Sequence, residues 1–202
     1  IWETVKHHFA VSACILQKDA RIGKIIGFYS VVFAAHTLLF FYSQQYFADF
    51  GYNKVQISVI MLLVGGASCF GALASEKMYR RFGKRCLIPE TVIIAAAILC
   101  YGAGKAGVTA AALMCAGFAN AALYPIQSDS LNALIPSEQR ATLISVDSMC
   151  FSIAMIVLFP LAGAFADRWG LKTVLLLLGA ILLLFLLAAF CIEKESFSSD
   201  HS

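Results

Sequence analysis

The sequence predicts an all-α membrane protein folded as a bundle of six transmembrane helices, and three observations carry that prediction. The chain of 202 residues is 60% hydrophobic and only 13% charged, well under the quarter or so of charged residues that dresses a soluble surface. Its apolar residues gather into six runs, each close to the about 20 helical residues that cross a hydrocarbon layer. The ten-residue alternation of barrel strands is absent, and backbone polar groups in lipid must be satisfied within their own segment, so the runs are helices. The net charge of +3 is small and forms no patch of the kind a nucleic acid needs.

Residues 1–23 precede the first run. Trp2, Val5, Phe9, Ala13 and Leu16 recur at three- and four-residue intervals, while Glu3, Lys6, His7, Gln17 and Lys18 take the other sectors. That pattern fits an amphipathic helix lying along the headgroups or a linker helix packed on the protein itself. The chain begins at Ile1 with neither Met nor signal peptide and reads as a piece of a longer polypeptide. The runs lie at 25–46, 55–75, 87–104, 107–128, 142–165 and 171–192, so residues 24–192 make the membrane body and 193–202 a polar tail.

Between the second and third runs, residues 71–85 hold Lys77, Arg80, Arg81, Lys84 and Arg85. Moving that much positive charge across a bilayer is strongly disfavoured, so this connection marks the cytoplasmic face. Gly71 is expected to end the preceding run, and Gly83 to supply the freedom in φ that a sharp turn needs. Glu76 and Arg80, four apart, are placed to pair on one helical face. Counted from this anchor, 11 lysines and arginines fall on the cytoplasmic side and 4 on the other. Both ends of the chain are therefore expected on the cytoplasmic side of the cell membrane, with the connections at 47–54, 105–107 and 166–171 outside.

The runs differ in character. Thr173 to Ile192 and Val92 to Cys100 are almost uniformly apolar and suit lipid. The first, second, fourth and fifth carry polar or small residues, among them His36 and Ser43, Gly65 and Gly66, Asn120 and Gln127, and Ser145 and Asp147. Polar groups in membrane helices turn toward a protein interior. Four helices are thus expected to surround a path while two brace them from outside.

His36 lies about 11 residues into its span, roughly 17 Å deep and close to the midplane. An imidazole there suits binding a substrate or carrying a coupling proton, or else a neutral bond to a neighbouring helix. Asp147 lies roughly 8 Å into the fifth span. It is placed either as a buried, proton-exchanging carboxylate or as the partner of a cytoplasmic Arg. Ser145, Ser148 and Ser152 on another face read as a packing seam. Asn120, Tyr124 and Gln127 recur at helical spacing; such groups orient an uncharged or zwitterionic ligand, or bond between helices. Gln44 and Gln45, near the outer end, suit a gate or a simple interface position. Pro125 and Pro160 are expected to kink or end their helices.

Seven scattered cysteines include no C-x-x-C pair and no His at ligand spacing, so they read as free structural thiols, and nothing indicates a metal or other cofactor. An intramembrane enzyme would need a nucleophile motif such as G-x-S-G, and a channel a T-V-G-Y-G filter or an N-P-A pair; none occurs. A six-helix scaffold without active transport, or a channel-like protein, stays open as the alternative to a carrier.

Several stretches resemble the C-terminal half of a major facilitator superfamily transporter. Gly71-Ala-Leu-Ala-Ser75 with Arg80-Arg-Phe-Gly83-Lys-Arg85 is similar to the basic loop between the second and third helices of a half, although Ser75 stands where Asp is usual and Gly83 falls late. Pro125, Asn132, Pro136, Arg140, Ala141, Thr142 and Ser145 resemble the connection between the tenth and eleventh helices. Gly163-Ala-Phe-Ala-Asp167-Arg168-Trp-Gly170 is similar to the turn before the last helix, and Tyr42 to Gly51 to the end of the seventh. The resemblance implies two six-helix halves that rock about a central cavity holding a small-molecule substrate near the midplane, moved by symport or antiport. It also implies a partner, either the N-terminal half of the same transporter or a second copy. The first, second, fourth and fifth spans would line the cavity, the four already singled out by polarity.

Overall fold

The computed structural model of the protein describes residues 20–83, 87–134 and 140–199. Six α-helices follow one another: α1 (Ala20–Asp49), α2 (Lys54–Phe82), α3 (Leu87–Cys100), α4 (Ala106–Asn132), α5 (Arg140–Trp169) and α6 (Leu171–Ser199), with one 3₁₀ turn, Tyr101–Ala103, after α3. Among the described residues there is no strand. By length and composition four helices suffice to cross a membrane: Ile22–Asp49 within α1, then α2, α4 and α5; Leu87–Cys100 and Leu171–Leu187 are shorter apolar helices. The amphipathic pattern over residues 1–23 lies outside the described residues as far as residue 19, and so do Lys84, Arg85 and Pro136. The tail expected from residue 193 continues α6 as helix to Ser199.

The turns are short because their chemistry is local. Asn53 caps α2, accepting from the Gln56 amide while the Gln56 side chain accepts from the Asn53 amide, both at 2.9 Å. Gly51, Gly83, Gly104 and Gly170 all take positive φ, which side chains resist, and each stands at a helix junction.

Successive helices run up and down. We call the end bearing Arg80, Arg81 and Arg140 the basic end. Tyr46 at the opposite end of α1 donates its hydroxyl to the Tyr101 carbonyl at 2.9 Å, tying α1 to the end of α3. There too the Tyr42 hydroxyl donates to the Phe159 carbonyl of α5 at 3.3 Å, with the two rings stacked at 5.8 Å. At the basic end α1, α4 and α5 meet through Ile22, Ile26, Leu131, Leu143 and Val146. A larger apolar core, centred on Val32, Leu39, Ile94, Ile98, Leu113 and Leu123, joins α1, α3 and α4.

Two expectations need correction. Gly71 does not end a run: it sits inside α2, where a Cβ would lie 2.2 Å from the Phe118 carbonyl oxygen of α4. Its missing side chain lets two helix backbones touch, and Gly117 faces Val64 and Ser68 across the same contact. The basic residues Arg80 and Arg81 accordingly belong to the last turn of α2, where they complement the helix dipole. Arg80 pairs with Glu76 one turn back, both exposed. Secondly, Ser145, Ser148 and Ser152 make no seam within this chain. They are exposed, and Ser145 and Ser152 bond their hydroxyls to carbonyls of their own helix.

Candidate functional site

The polar groups gather where α1, α4 and α5 adjoin. On α1 the Phe33 ring meets the Tyr124 ring of α4, centroids 5.6 Å apart. His36 follows Phe33 by three residues and Asn120 precedes Tyr124 by four, so on these oppositely directed helices both lie about one turn farther from the basic end. His36 and Asn120 are each half-buried, and each encloses a polar atom without a hydrogen-bond partner, Nε2 and Oδ1 respectively. Thr37, beside His36, spends its hydroxyl on the Phe33 carbonyl at 2.7 Å. Tyr124 itself is 55% exposed.

One turn toward the basic end, Gln127 is fully buried and donates from Nε2 to Asp147 Oδ1 of α5 at 3.4 Å, while its own Oε1 is unpartnered. Asp147 is half-buried and borders a shallow crevice with Ser128, Leu131, Asn132, Leu143 and Ile144. Buried polar atoms lacking partners are costly and few in folded proteins. Here two of them share one face of α4, Asn120 and Gln127, while Asn132 lies on another face nearer the basic end. Such a face can accept and donate hydrogen bonds to a small polar ligand, and Asp147 adds a carboxylate beside it.

Residues 91–201 match the family model of the Major Facilitator Superfamily, more than half of the chain. The protein belongs to that superfamily. Comparison with curated proteins and with solved structures gives no match. The superfamily match begins just after the first turn of α3, runs through α6 and contains the whole polar face of α4, Asp147, and the 163–170 turn. It makes the chain a membrane protein and a transporter of the major facilitator type.

Other residues singled out by sequence fall away from this cluster. Gln44 is exposed near the end opposite the basic one, and Gln45 beside it donates to Asp49 at 2.7 Å. Gly71 and Ser75 are buried in the contact face of α2, and Gly83 caps that helix with φ 58°. Arg80, Arg81 and Arg140 are exposed at the basic end. Asp167 and Arg168 are exposed in the last turn of α5, which Gly170 closes with φ 82°.

Sequence reasoning missed Glu90. It was absorbed into an apolar run, yet the residue is 2% exposed and neither carboxylate oxygen has a partner among the described residues. The signal was its standing as the one charged residue between positions 87 and 104. Reading α3 as lipid-facing hid this, because Ile94, Ala95, Ala97 and Ile98 are buried against the bundle.

Proposed function

We propose that the chain is the C-terminal six-helix half of a secondary active transporter of the plasma membrane, a symporter or antiporter that moves a small solute by alternating access. In this reading α3 and α6 cross the bilayer with the other four, both ends of the chain are cytoplasmic, and the basic end faces the cytoplasm. The face of α4 that carries Asn120, Tyr124 and Gln127, linked to Asp147, is the observation that supports the reading most. An apolar bundle has no use for unsatisfied amides unless something polar visits them.

His36, Gln44, Asn120, Tyr124 and Gln127 would contact the substrate, and His36 and Asp147 would carry a coupling proton. The opposite wall comes from the N-terminal half or a second copy, against the exposed flanks of α2 and α5. Exposed Leu62, Phe70 and Leu73 on α2 and Ile153, Ile156 and Val157 on α5 supply apolar surface for that contact. Saturable, gradient-driven uptake by the full-length protein, absent from this chain alone, is the expected result. Transport by the isolated monomeric chain would overturn the two-half account, and non-saturable flux would favour a pore. In the full-length protein, His36→Ala and Asp147→Asn are expected to lose accumulation against a gradient; if both keep it, neither carries the proton.

A further inference from the structure

Glu90 occupies the first turn of α3 at 2% exposure, and both carboxylate oxygens lack a hydrogen-bond partner among the described residues. It is not part of the basic connection. Tyr46 bonds the Tyr101 carbonyl, and Glu90 precedes Tyr101 by eleven residues, about 16 Å along the axis. Counted the same way from Tyr46, that is the depth of Ala35 and His36, the middle of α1. Helices α1, α4 and α6 pack on α3. Near this depth α1 brings Tyr29 and His36, and α4 brings Tyr124 and, farther toward the basic end, Asp129; Lys172 of α6 lies near Gly104 at the other end. None of these pairs with Glu90, and Thr91 next to it satisfies itself on the Leu87 carbonyl at 2.7 Å.

A charged carboxylate enclosed in this way gives up its hydration for nothing, whereas the neutral acid gives up far less. In the packed arrangement Glu90 contributes no bond that a leucine would lack. What it adds is an O–H bond that breaks when water arrives. We propose that Glu90 is a proton-binding site on α3, separate from the polar face of α4. It keeps its proton while the first turn of α3 is packed and releases it to water when that turn is wetted. Only the O–H bond breaks, and the proton passes to water. The use of this site in transport rests on the carrier reading; the site itself does not.

The test uses the full-length protein in native membranes and dicyclohexylcarbodiimide, to which a protonated carboxyl in apolar surroundings adds to give an O-acylisourea that rearranges to a stable N-acylurea, with the adduct located by peptide mass spectrometry. Glu90 is expected to be modified at mildly acidic pH, with labelling falling roughly tenfold per unit once pH passes its titration. No adduct at Glu90, or labelling independent of pH, would overturn the proposal. Glu90→Gln, an isostere of the neutral acid, is expected to keep substrate counterflow and to flatten the pH dependence of net uptake. An unchanged pH profile would remove Glu90 from coupling. Should Glu90→Gln fail to accumulate in the membrane, the wild-type labelling alone decides. Labelling as expected in a protein that carries nothing would refute the carrier reading and uphold the proton site.

Discussion

Replacing Gly71 with alanine puts the contact between α2 and α4 under strain. The new Cβ would stand 2.2 Å from the Phe118 carbonyl oxygen, 2.9 Å from its carbon and 3.0 Å from its Cα. Ordinary contact needs about 1 Å more than the first of these. All three atoms are backbone of α4, so no rotamer change relieves the clash and the two helices must separate. Overpacking of this kind costs about 1–3 kcal/mol, and one to two kcal/mol is about a 5- to 30-fold shift in the folded population. Alanine's helix preference returns at most about 1 kcal/mol. Gly65→Ala and Gly66→Ala isolate that gain, because nothing lies within 4 Å of a Cβ at either position. Thermal unfolding in detergent, followed by size-exclusion fluorescence, should rank Gly71→Ala well below wild type and the other two level with it or above. Equal midpoints for Gly71→Ala and Gly65→Ala would refute the backbone contact between α2 and α4.

Gly117→Ala should cost less than Gly71→Ala in the same assay, since its nearest neighbours, Ser68 Oγ at 2.9 Å and Val64 Cγ1 at 3.1 Å, are side-chain atoms that can turn away. Gly83→Ala forces a side chain onto φ 58°, ψ −146°; the expected loss is about 1–3 kcal/mol, read as a lower unfolding midpoint. A double-mutant cycle with Gln127→Leu and Asp147→Leu should give a coupling of about 0.6 kcal/mol, modest because the bond is 3.4 Å long. Arg81→Cys in otherwise cysteine-free full-length protein should resist an impermeant thiol reagent applied outside intact cells; labelling there would reverse the proposed orientation.

Helix positions were legible because a long apolar segment that enters lipid must satisfy its own backbone. The six runs read from hydropathy coincide with the six helices, and differ at the ends where polar residues still propagate a helix. Arg80 and Arg81 show why. Their charge suggested a loop, but the Glu76 pair and the favourable helix end keep them helical as far as Gly83. Single glycines carry two meanings that hydropathy does not separate. Gly83 is a stop and Gly71 a contact, and only the partner backbone of Phe118 tells them apart. The same limit applies to the candidate site. The spacing of Asn120, Tyr124 and Gln127 on one helix was visible in the chain, while the Phe33–Tyr124 contact and the Gln127–Asp147 bond depend on how helices pack. Glu90 is hidden in the chain because one charge scarcely alters the hydropathy of a long apolar run, and only the packing of α3 shows it enclosed.

The touching backbones at Gly71 and Phe118 also bear on motion. At Gly102 and Gly179 the nearest neighbours are side-chain atoms of Leu176, Leu99 and Ile98, which can swap rotamers as helices slide, a cushion that absorbs small displacements. No such cushion separates α2 from α4 at this point. Tilt one and the other is carried with it, so the two form a single stiff plate, and any reshaping of this fold is left to the seams around it.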